Sequence, residues 1–489
     1  MKKYILIILC CLTSFPLWSY NVNMIVEHYS VDQGLPNNTV NCTLKDRDGF
    51  IWFGTWYGLC CFDGVKFKTF NKQEHDSDVP PRKIQRIVED KNGYIWVKTI
   101  DRKLYVFNKV TECFHAVYDD MKNYSENIQV IKLQNTAEGD VLLLTKDKNL
   151  LLAGVDEKGQ VTIKILFDSR DEINKHDYTL KHHVLCETEE YISWIGTDYK
   201  VSAVHKGAEL ASRPADFITS KINSGDKDSF TSFFEDGRKV WVGDRAGIFY
   251  SIDVRTGLVN RYVLSEIKGA ISNLLVTPAG YVYLSVAGQG TYEYDLAERR
   301  LQKINTEMND AMVTHAFIDQ YDKIWFHENE KALIYYDPLN HTAKRFPFTM
   351  FGKITTLYSE DAGERGLFFL SPAGEAWLFD REHAEMVYIN KLKQLSNDRA
   401  NQQFYHLMLD NDGVLWLSSA DEGVYCMNFP KKQFNLLSLS PQSAGQENYT
   451  IGVRALFQSK SGDIWVGTRW QSVYRMDRNG VTKHVFFDR

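Results

Sequence analysis

Histidine and carboxylate residues are the first candidates for catalysis in this sequence, which has 13 His and 63 Asp or Glu among 489 residues. The chain contains no His-Glu-x-x-His, no Gly-x-Ser-x-Gly, no phosphate-binding loop and no paired-cysteine zinc pattern. His182 and His183 are the only adjacent pair, and we expect them in a surface connection before a strand at Val184 rather than in a metal site. The acidic run from Glu187 to Glu190 predicts a solvated hairpin turn. We therefore expect no enzymatic activity, no metal and no cofactor.

Better candidates for binding are aromatic, arginine and amide residues that directly follow short apolar strands and vary along the chain. Aromatic rings can stack on the apolar face of a sugar, and polar side chains can bond to its hydroxyls. Arginine can also hold a carboxylate or sulfate with two parallel hydrogen bonds. We take these residues as candidate oligosaccharide contacts, with strand capping or contact with a protein partner as the alternatives. They are Trp56, Tyr57, Arg102, Tyr199, Arg245, Gln289, Arg469 and Trp470.

A repeated unit must position these candidates, and its clearest copy runs from Asp46 to Gly64. Asp46 and Gly49 suit a tight turn, and the next four residues are apolar on both faces, as expected for a strand covered on both sides. A second turn and a second strand follow. Ten copies align on a mainly tryptophan column at intervals of 42 to 52 residues, at positions 52, 96, 142, 194, 241, 283, 325, 368, 416 and 465. This period predicts an all-β fold, a β-propeller with four-stranded blades.

The recurrence of Asp, Gly and Trp argues against a binding role for these residues. A residue present in nearly every copy performs the same task in each, which is turn formation or packing between blades. Because antiparallel strands alternate in direction, the varying connections after the second strand share one edge with the linkers between blades. Loops of this kind are where recognition is usually found. We therefore predict a buried tryptophan column, comprising Trp52, Trp96, Trp194, Trp241, Trp325, Trp416 and Trp465.

The unit Asp-x-x-Gly-x-Ile-Trp-x-Gly-Thr, followed by Gly-Leu and an aromatic-Asp pair, resembles the two-component regulator propeller repeat. The opening segment from Glu27 to Val40 also looks like that family's entry into its first blade. The resemblance implies the periplasmic sensor region of a Bacteroides-type hybrid two-component system sensor histidine kinase. It further implies an oligosaccharide ligand, control of polysaccharide utilisation through kinase and response-regulator modules absent from this chain, and a homodimer in the full-length context. A secreted propeller lyase or glycoside-acting enzyme, and a protein-binding scaffold, are the alternatives.

The N-terminal residues predict export. Lys2 and Lys3 precede a short apolar run, and a small residue at Ser19 provides a cleavage site, so residues 1–19 read as a signal peptide and the chain as periplasmic. About nine apolar residues are too few to span a bilayer, which takes roughly 20. We therefore expect membrane attachment only through C-terminal regions that this chain lacks. The formal charge of -6, without a basic run, disfavours a nucleic-acid partner.

The six cysteines outside the signal segment have irregular spacing and occupy apolar strand positions, so we read them as core thiols. A disulfide between Cys42 and Cys60 is chemically allowed in an oxidising compartment. They are Cys42, Cys60, Cys61, Cys113, Cys186 and Cys426.

The order of the copies predicts two domains. A lone strand before the first copy should complete the last blade of a ring and so remove its open edge. We expect seven blades in residues 20–345, and the first three blades of a second, incomplete propeller in residues 346–489, in a fragment or early-terminated product. A single ring of ten blades is the alternative.

Overall fold

The computed structural model describes residues 25–70, 81–122, 129–146, 149–167, 180–188, 190–196, 200–207, 217–221, 230–304, 313–328, 331–351, 358–361, 366–371, 375–391, 404–428, 453–469, 473–476 and 482–485. The predicted signal peptide lies outside these residues. Within them, the helical elements are one short α-helix, α1 (Tyr118–Met121), and two 3-10 turns, Val31–Gln33 and Phe348–Phe351. The rest of the regular structure is β-strand, which confirms the all-β prediction.

The described strands form ten antiparallel sheets of four strands each, numbered here in chain order. Sheet 1 contains β2 (Val40–Lys45), β3 (Ile51–Thr55), β4 (Gly58–Phe62) and β5 (Phe67–Phe70). Sheet 2 contains β6 (Ile84–Glu89), β7 (Ile95–Thr99), β8 (Leu104–Asn108) and β9 (Cys113–Ala116). Sheet 3 contains β10 (Val130–Asn135), β11 (Val141–Thr145), β12 (Leu150–Val155) and β13 (Val161–Phe167). Sheet 4 contains β14 (Leu180–Glu187), β15 (Tyr191–Gly196), β16 (Lys200–His205) and β17 (Phe217–Lys221). Sheet 5 contains β18 (Phe230–Glu235), β19 (Lys239–Asp244), β20 (Ile248–Asp253) and β21 (Val259–Val263).

The remaining sheets continue the same order. Sheet 6 contains β22 (Ile271–Val276), β23 (Tyr281–Val286), β24 (Gly290–Asp295) and β25 (Arg300–Lys303). Sheet 7 contains β26 (Val313–Ile318), β27 (Ile324–Glu328), β28 (Ala332–Asp337) and β29 (Thr342–Pro347). Sheet 8 contains β30 (Tyr358–Asp361), β31 (Leu367–Leu370), β32 (Glu375–Asp380) and β33 (Glu385–Lys391). Sheet 9 contains β34 (Phe404–Leu409), β35 (Val414–Ser419), β36 (Val424–Asn428) and the first strand of the chain, β1 (Ile25–Tyr29). Sheet 10 contains β37 (Val453–Gln458), β38 (Ile464–Thr468), β39 (Val473–Met476) and β40 (Thr482–Val485).

The strand register confirms the alignment of the ten copies. In every sheet the residue of the tryptophan column lies on the second strand and pairs with the same position of the first strand. The pairs are Leu44 with Trp52, Val88 with Trp96, Gln134 with Leu142, Leu185 with Trp194, Phe234 with Trp241, Leu275 with Tyr283, Phe317 with Trp325, Glu360 with Phe368, Met408 with Trp416 and Phe457 with Trp465.

Hydrogen bonding explains why Asp and Trp recur at a fixed spacing. In sheet 1, Asp46 Oδ1 accepts the amides of Asp48 and Phe50 at 3.0 and 2.9 Å, which closes the turn, and Asp46 Oδ2 accepts the indole N–H of Trp52 at 2.8 Å. One carboxylate therefore fixes both the turn and the orientation of the indole. Sheets 2, 5, 7 and 9 repeat the indole bond at 2.9, 2.7, 3.3 and 3.1 Å.

The apolar core lies between neighbouring sheets. Nine hydrophobic clusters of described residues each span one pair of sheets. Eight of them lie between consecutive sheets, from sheets 1 and 2 to sheets 8 and 9, and the ninth joins sheet 9 to sheet 1. Trp52, Trp96, Trp241, Trp325 and Trp416 are buried in these clusters, as predicted. The side chain of Trp194 lies outside the described residues. Trp465 of sheet 10 is only partly buried, because its sheet has no described neighbour among the clusters.

The ring closes at the ninth sheet. We expected the first strand to complete a seventh blade, but β1 pairs antiparallel with β36, from Ile25 opposite Asn428 to Tyr29 opposite Val424. The reason is that sheets 1 to 8 each take all four strands from one continuous segment, whereas sheet 9 takes only three and leaves β36 with a free edge. His28 stacks on Tyr425 at 4.5 Å between ring centroids, and a Cβ on Gly423 would overlap the carbonyl oxygen of Tyr29. Closure therefore needs glycine at this contact.

The chain divides into two compact units, Met1–Phe429 and Pro430–Arg489, and not near residue 345 as the repeat count had suggested. The first unit contains sheets 1 to 9, and the second contains sheet 10. The repeat spacing predicts the position of each blade. The number of blades in the ring depends instead on which sheet receives β1 as its fourth strand.

Two smaller predictions are also resolved. His182 and His183 lie within β14, not in a connection before it, since that strand already begins at Leu180. Cys42 and Cys60 are both buried and free, so no disulfide joins them. Burial raises the pKa of both thiols to about 12, which suits core residues. Cys186 lies outside the residues whose side chains are described.

Candidate functional site

Each sheet has two edges, which differ in the strand connections that lie on them. The connections between first and second strands and between third and fourth strands lie on one edge, which we call the turn edge. The connections between second and third strands lie on the other edge, together with the links between sheets, and we call it the linker edge. Every sequence-predicted site residue that the structure describes falls in a connection of the linker-edge type.

At the turn edge, basic side chains are matched by carboxylates of the neighbouring sheet. Lys109 Nζ of sheet 2 lies 3.1 Å from Asp46, 2.6 Å from Asp48 and 2.8 Å from Glu89. These three carboxylates are close enough together to hold a metal ion, but the ammonium group of Lys109 already lies among them. Burial lowers the pKa of Lys109, yet hydrogen bonds to the three acids outweigh it and raise that pKa overall. The cluster is therefore a structural ion-pair network.

The same network recurs at other sheet junctions. Lys206 of sheet 4 bonds to Glu138 of sheet 3 and to Glu187, at 2.9 and 2.6 Å. Arg381 of sheet 8 bonds to Asp319 of sheet 7 and, at 2.7 Å, to Asp361. The sequence predicted a solvated hairpin for the acidic run, but Glu187 is the last residue of β14 and an ion-pair partner whose side chain is only 17% exposed.

The linker edge is held together by backbone hydrogen bonds that leave many side chains exposed. The amide of Trp56 donates to Thr39 at 3.2 Å, and the carbonyl of Trp56 accepts the amide of Lys83 at 2.9 Å. The carbonyl of Lys83 accepts the amide of Ile100 at 2.9 Å, which connects sheets 1 and 2. The carbonyl of Arg102 accepts the amide of Val130, which starts sheet 3, also at 2.9 Å.

Trp56 and Tyr57 form an exposed aromatic pair between β3 and β4. Trp56 is 39% exposed and Tyr57 is 63% exposed. The ammonium group of Lys83 lies over the Trp56 ring, 5.1 Å from its centroid. Thr55 Oγ1 accepts the amide of Tyr57 at 3.1 Å and fixes the turn that presents both rings. Two large aromatic surfaces and a cation are therefore available to a ligand.

Arg102 and Arg245 are both exposed and lie in the corresponding turns of sheets 2 and 5. Arg102 has a φ of 68°, and its amide donates to Thr99 at 2.9 Å. Arg245 follows Asp244, whose carboxylate accepts the amides of Ala246 and Ile248 at 2.9 and 2.8 Å. The two arginines belong to sheets that do not adjoin, so the structure does not bring them together.

The other predicted residues have different surroundings. Gln289 bonds to the link between sheets 5 and 6, where its side chain accepts the amide of Lys268 at 2.7 Å and donates to the carbonyl of Glu266 at 3.1 Å. Arg469 is exposed at the end of β38 in the second unit. Tyr199 and Trp470 lie outside the described residues.

Sequence reasoning missed two basic residues beside Arg102. Lys98 lies on β7 directly opposite Arg86 of β6. Lys98 is only 6% exposed, and its ammonium group donates to Gln85 Oε1 at 2.8 Å and to the carbonyl of Ile131 at 2.5 Å. Burial, together with the charges of Arg102 and Arg86, lowers the pKa of Lys98 to about 8. The signal was present in the sequence, because Lys98 replaces the glycine of the repeat.

His406 lies near the same cluster, on the first strand of sheet 9. The third residue of the first strand is Cys42 in sheet 1, Arg86 in sheet 2 and His406 in sheet 9, and those three strands pack side by side. Burial lowers the pKa of His406 to about 4, and the charge of Arg86 adds to this effect. Nδ1 of His406 is buried with no hydrogen-bond partner in the part of the chain described here.

Residues 34–57 match the family model of the two component regulator propeller. This stretch covers the turn, strand and second turn of the first copy. The chain carries the two component regulator propeller repeat. The match covers one copy, and the other nine sheets share the strand order of sheet 1.

Solved structures similar to this chain include extracellular domains of two sensors from B. thetaiotaomicron. That of the hybrid two component system BT3049 is 14% identical, with 95% of this chain and 67% of that chain covered and a TM-score of 0.32. That of BT4673 is 16% identical, with 95% and 67% covered and a TM-score of 0.30. Virginiamycin B lyase from Staphylococcus aureus is 9% identical, with 73% and 97% covered and a TM-score of 0.35.

The comparison with curated proteins found no match. In the described part of the chain, no helix has the length and apolar character needed to cross a membrane.

Proposed function

We propose that this chain is the extracytoplasmic ligand-sensing region of a two-component sensor and that it detects an oligosaccharide. The observation that carries the proposal is the exposed pair Trp56 and Tyr57, which stands beside Lys83 at the linker edge of propeller sheets. The repeat type of residues 34–57 supports a place in two-component regulation. Export through the signal peptide of residues 1–19 would place this region in the periplasm.

An oligosaccharide fits the chemistry of this edge. Sugar rings present C–H faces to aromatic side chains and hydroxyl groups to polar ones, and aromatic contacts add about 0.5–1.5 kcal/mol beyond the area that they bury. The turn that presents Trp56 and Tyr57 is fixed by Thr55, whose hydroxyl donates to Gly58 at 2.8 Å. A ligand therefore meets rings that are already oriented, which reduces the entropy cost of binding.

Signalling requires that the ligand favour one arrangement of the receptor over another. We propose that this region acts within a homodimer in the full-length context, and that the output passes to kinase and response-regulator modules that control polysaccharide utilisation. Arg102, Arg245 and Arg469, together with Tyr199, Gln289 and Trp470, remain candidate ligand residues in this proposal.

We infer that the ligand is bound and not chemically transformed. An enzymatic alternative needs a general base at the inner strands. His406 is placed there, but with a pKa of about 4 it is a weak base at neutral pH, and the neighbouring charge of Arg86 disfavours its protonated form.

Calorimetric titration of the full chain with a panel of neutral and acidic oligosaccharides tests the function. We expect at least one to bind, and Trp56→Ala and Tyr57→Ala to weaken that binding about tenfold each, equivalent to about 1.4 kcal/mol. Tyr321→Ala is the matched control, since Tyr321 is a 43% exposed aromatic residue at the turn edge, where it stacks on Arg381. A flat response to every glycan, or equal losses in all three variants, would contradict the proposal.

A further inference from the structure

Sheet 2 departs from the repeat at one position of its second strand. In sheet 1 this position is Gly54, and a Cβ there would come within 2.6 Å of Ile84 Cγ2 on the next sheet. The glycine therefore allows close packing of two first strands. Sheet 2 instead has Lys98, which places an amine in the space between β6 and β10. Four of the ten copies have glycine at this position, five have Leu, Ser or His, and sheet 2 alone has lysine. A buried lysine here therefore suggests a task beyond packing.

The surroundings of Lys98 fix its ammonium group but do not neutralise it. Its two hydrogen-bond acceptors, Gln85 Oε1 and the carbonyl of Ile131, are uncharged. In the described residues, no carboxylate forms an ion pair with Lys98. Burying a cation without a counter-charge costs several kcal/mol, so the position lowers the stability of the folded chain.

Two further cations stand next to Lys98. Arg86 is its direct partner across the two strands, where side chains on the same face come within about 4.5–5.5 Å at Cβ. Arg102 lies in the turn after β7, and the charges of both arginines act on Lys98. Both arginines are exposed, and neither forms a hydrogen bond or ion pair through its side chain with a residue in the described ranges.

The nearest acid of this turn is already engaged. Asp101 accepts the hydroxyl of Thr99 at 2.5 Å and lies 3.4 Å from the ammonium group of Lys103. Burial raises the pKa of Asp101, but these two interactions outweigh it and lower the pKa overall. Asp101 therefore serves its own turn, and within the described residues no carboxylate forms an ion pair with Arg86, Lys98 or Arg102.

We propose that Arg86, Lys98 and Arg102 form a binding site for an anionic group at the linker edge of sheet 2. A guanidinium group can bond to two oxygens of a carboxylate or of a sulfate at once, and Lys98 supplies a third positive charge from below. Like charges held together at an open edge become favourable when an anion binds among them. The occupant we assign is a uronate or sulfate group of an acidic oligosaccharide, which rests on the proposed function.

The position of the site fits an extended ligand. Trp56 of sheet 1 and Arg102 of sheet 2 are connected along the linker edge by the backbone bonds through Lys83 and Ile100. A sugar stacked on Trp56 or Tyr57 could thus extend toward the cations. The anionic group would fix the register of the chain, while the aromatic residues would hold a neighbouring ring.

Anion binding should be coupled to protonation of Lys98. The charged groups around it are Arg86 on β6, Arg102, Asp101 and Lys103 in the following turn, and Lys132 on β10 beside Ile131. An anion offsets the two arginine charges and so raises the pKa of Lys98 from about 8. Affinity should therefore decrease as the pH rises through 8, because the amine loses its proton in the free protein.

The test titrates the full chain with inorganic sulfate, with galacturonate and galacturonate oligomers, and with the corresponding neutral galactose compounds. We expect the acidic probes to bind more tightly than the neutral ones, and binding to weaken with added salt. Arg86→Gln and Arg102→Gln should each weaken binding of the acidic probes at least tenfold. Arg238→Gln is the control, because Arg238 is exposed in the first turn of sheet 5 at the turn edge and should leave binding unchanged.

Titration of the lysine side-chain nitrogen by NMR gives a second readout that does not depend on folding of a variant. We expect the resonance of Lys98 to titrate near pH 8 and to shift to higher pH when the preferred anion is added. A Lys98 resonance that ignores the anion, or acidic probes that bind both arginine variants as well as the wild type, would overturn the site.

The two proposals can fail separately. A neutral glycan that binds normally to both arginine variants, with no preference for acidic probes, would retain the sensor and reject the anion site. Sulfate that binds at Arg86 and Arg102 while no oligosaccharide binds would retain the site and reject the proposed function.

Discussion

The turn edge and the linker edge contain the same kinds of charged residues in opposite arrangements. At the turn edge, Lys109 lies among Asp46, Asp48 and Glu89 and joins two sheets. At the linker edge of the same sheet, Arg86 and Lys98 lie together without an ion-pair partner in the described residues. The charges at the turn edge therefore stabilise the contact between sheets, whereas those of Arg86 and Lys98 are left for the anion that we propose to bind there.

The largest effect should come from removing the acid that organises the turn edge of sheet 2. Asp90 accepts the indole N–H of Trp96 at 2.9 Å and the amide of Val155 in sheet 3 at 3.2 Å. Asp90→Ala leaves both buried donors unpaired, at about 1–3 kcal/mol each, so we expect the free energy of unfolding to fall by about 3 kcal/mol or more. Chemical denaturation followed by tryptophan fluorescence measures this change.

Asp101→Ala is the matched control, since Asp101 stands at the other end of β7 and bonds mainly to Thr99 in its own turn. We expect a loss below about 1 kcal/mol, the usual value for an exposed interaction. Equal losses in Asp90→Ala and Asp101→Ala would remove the distinction between the two edges.

A smaller effect should follow from removing the cation that joins sheets 1 and 2. Lys109→Met removes the counter-charge of Asp46, whose side chain is 0% exposed, whereas Glu89 keeps its ion pair with Arg47 at 3.2 Å. We expect a loss of about 2 kcal/mol, less than the roughly 3–5 kcal/mol for a fully buried pair, because Lys109 is itself partly exposed. Denaturation of Lys103→Met, an exposed linker-edge lysine, provides the comparison, and its change should stay within about 0.5 kcal/mol.

The smallest effects concern pH and have opposite signs for two histidines. His406 has a pKa lowered to about 4 by burial and by Arg86. Between pH 6.5 and 4 the unfolded chain therefore takes up a proton that the folded chain does not, so His406 makes stability fall as the pH falls. His383 has a pKa raised by its hydrogen bond to Asp380, so its contribution is present at low pH and is lost as the pH rises above about 6.5.

Denaturation at pH 7 and pH 5 separates the two histidines. We expect the loss of stability at pH 5 to be smaller in His406→Gln than in the wild type, and slightly larger in His383→Gln. The same change in both variants would show that His406 does not experience the low-dielectric, cationic surroundings assigned to it.

The sequence predicts the structure of each blade, because the residues that determine it interact over a few positions of the chain. The spacing from Asp46 to Trp52 is set by one carboxylate that closes a turn and binds an indole, and this geometry repeats wherever the two residues recur. The apolar residues of the second strand predict burial on both faces for the same reason, since a sheet lies on either side.

The features that the sequence did not predict depend on distant parts of the chain. Closure at sheet 9 depends on the edge of β36 that pairs with β1, because β34, β35 and β36 supply only three strands of that sheet. The repeat spacing of the sequence does not indicate which sheet has this edge. The cluster around Lys98 depends on Arg86 and Arg102, which are 12 and 4 positions away, and on the engagement of Asp101 within its own turn. In the sequence, the only sign of this cluster is Lys98, which stands where the first copy has Gly54.

The pairing of Ile25 with Asn428 has a consequence for biogenesis. β1 can pair with β36 only after some four hundred further residues have been synthesised, and contacts of such high sequence separation slow folding because a long loop must close first. Each early hairpin can assemble locally during translation, but β1 must wait. Chaperones that shield single strands would therefore be expected to act on this segment, and the rate at which the final sheet captures it would set the time needed to reach the closed state.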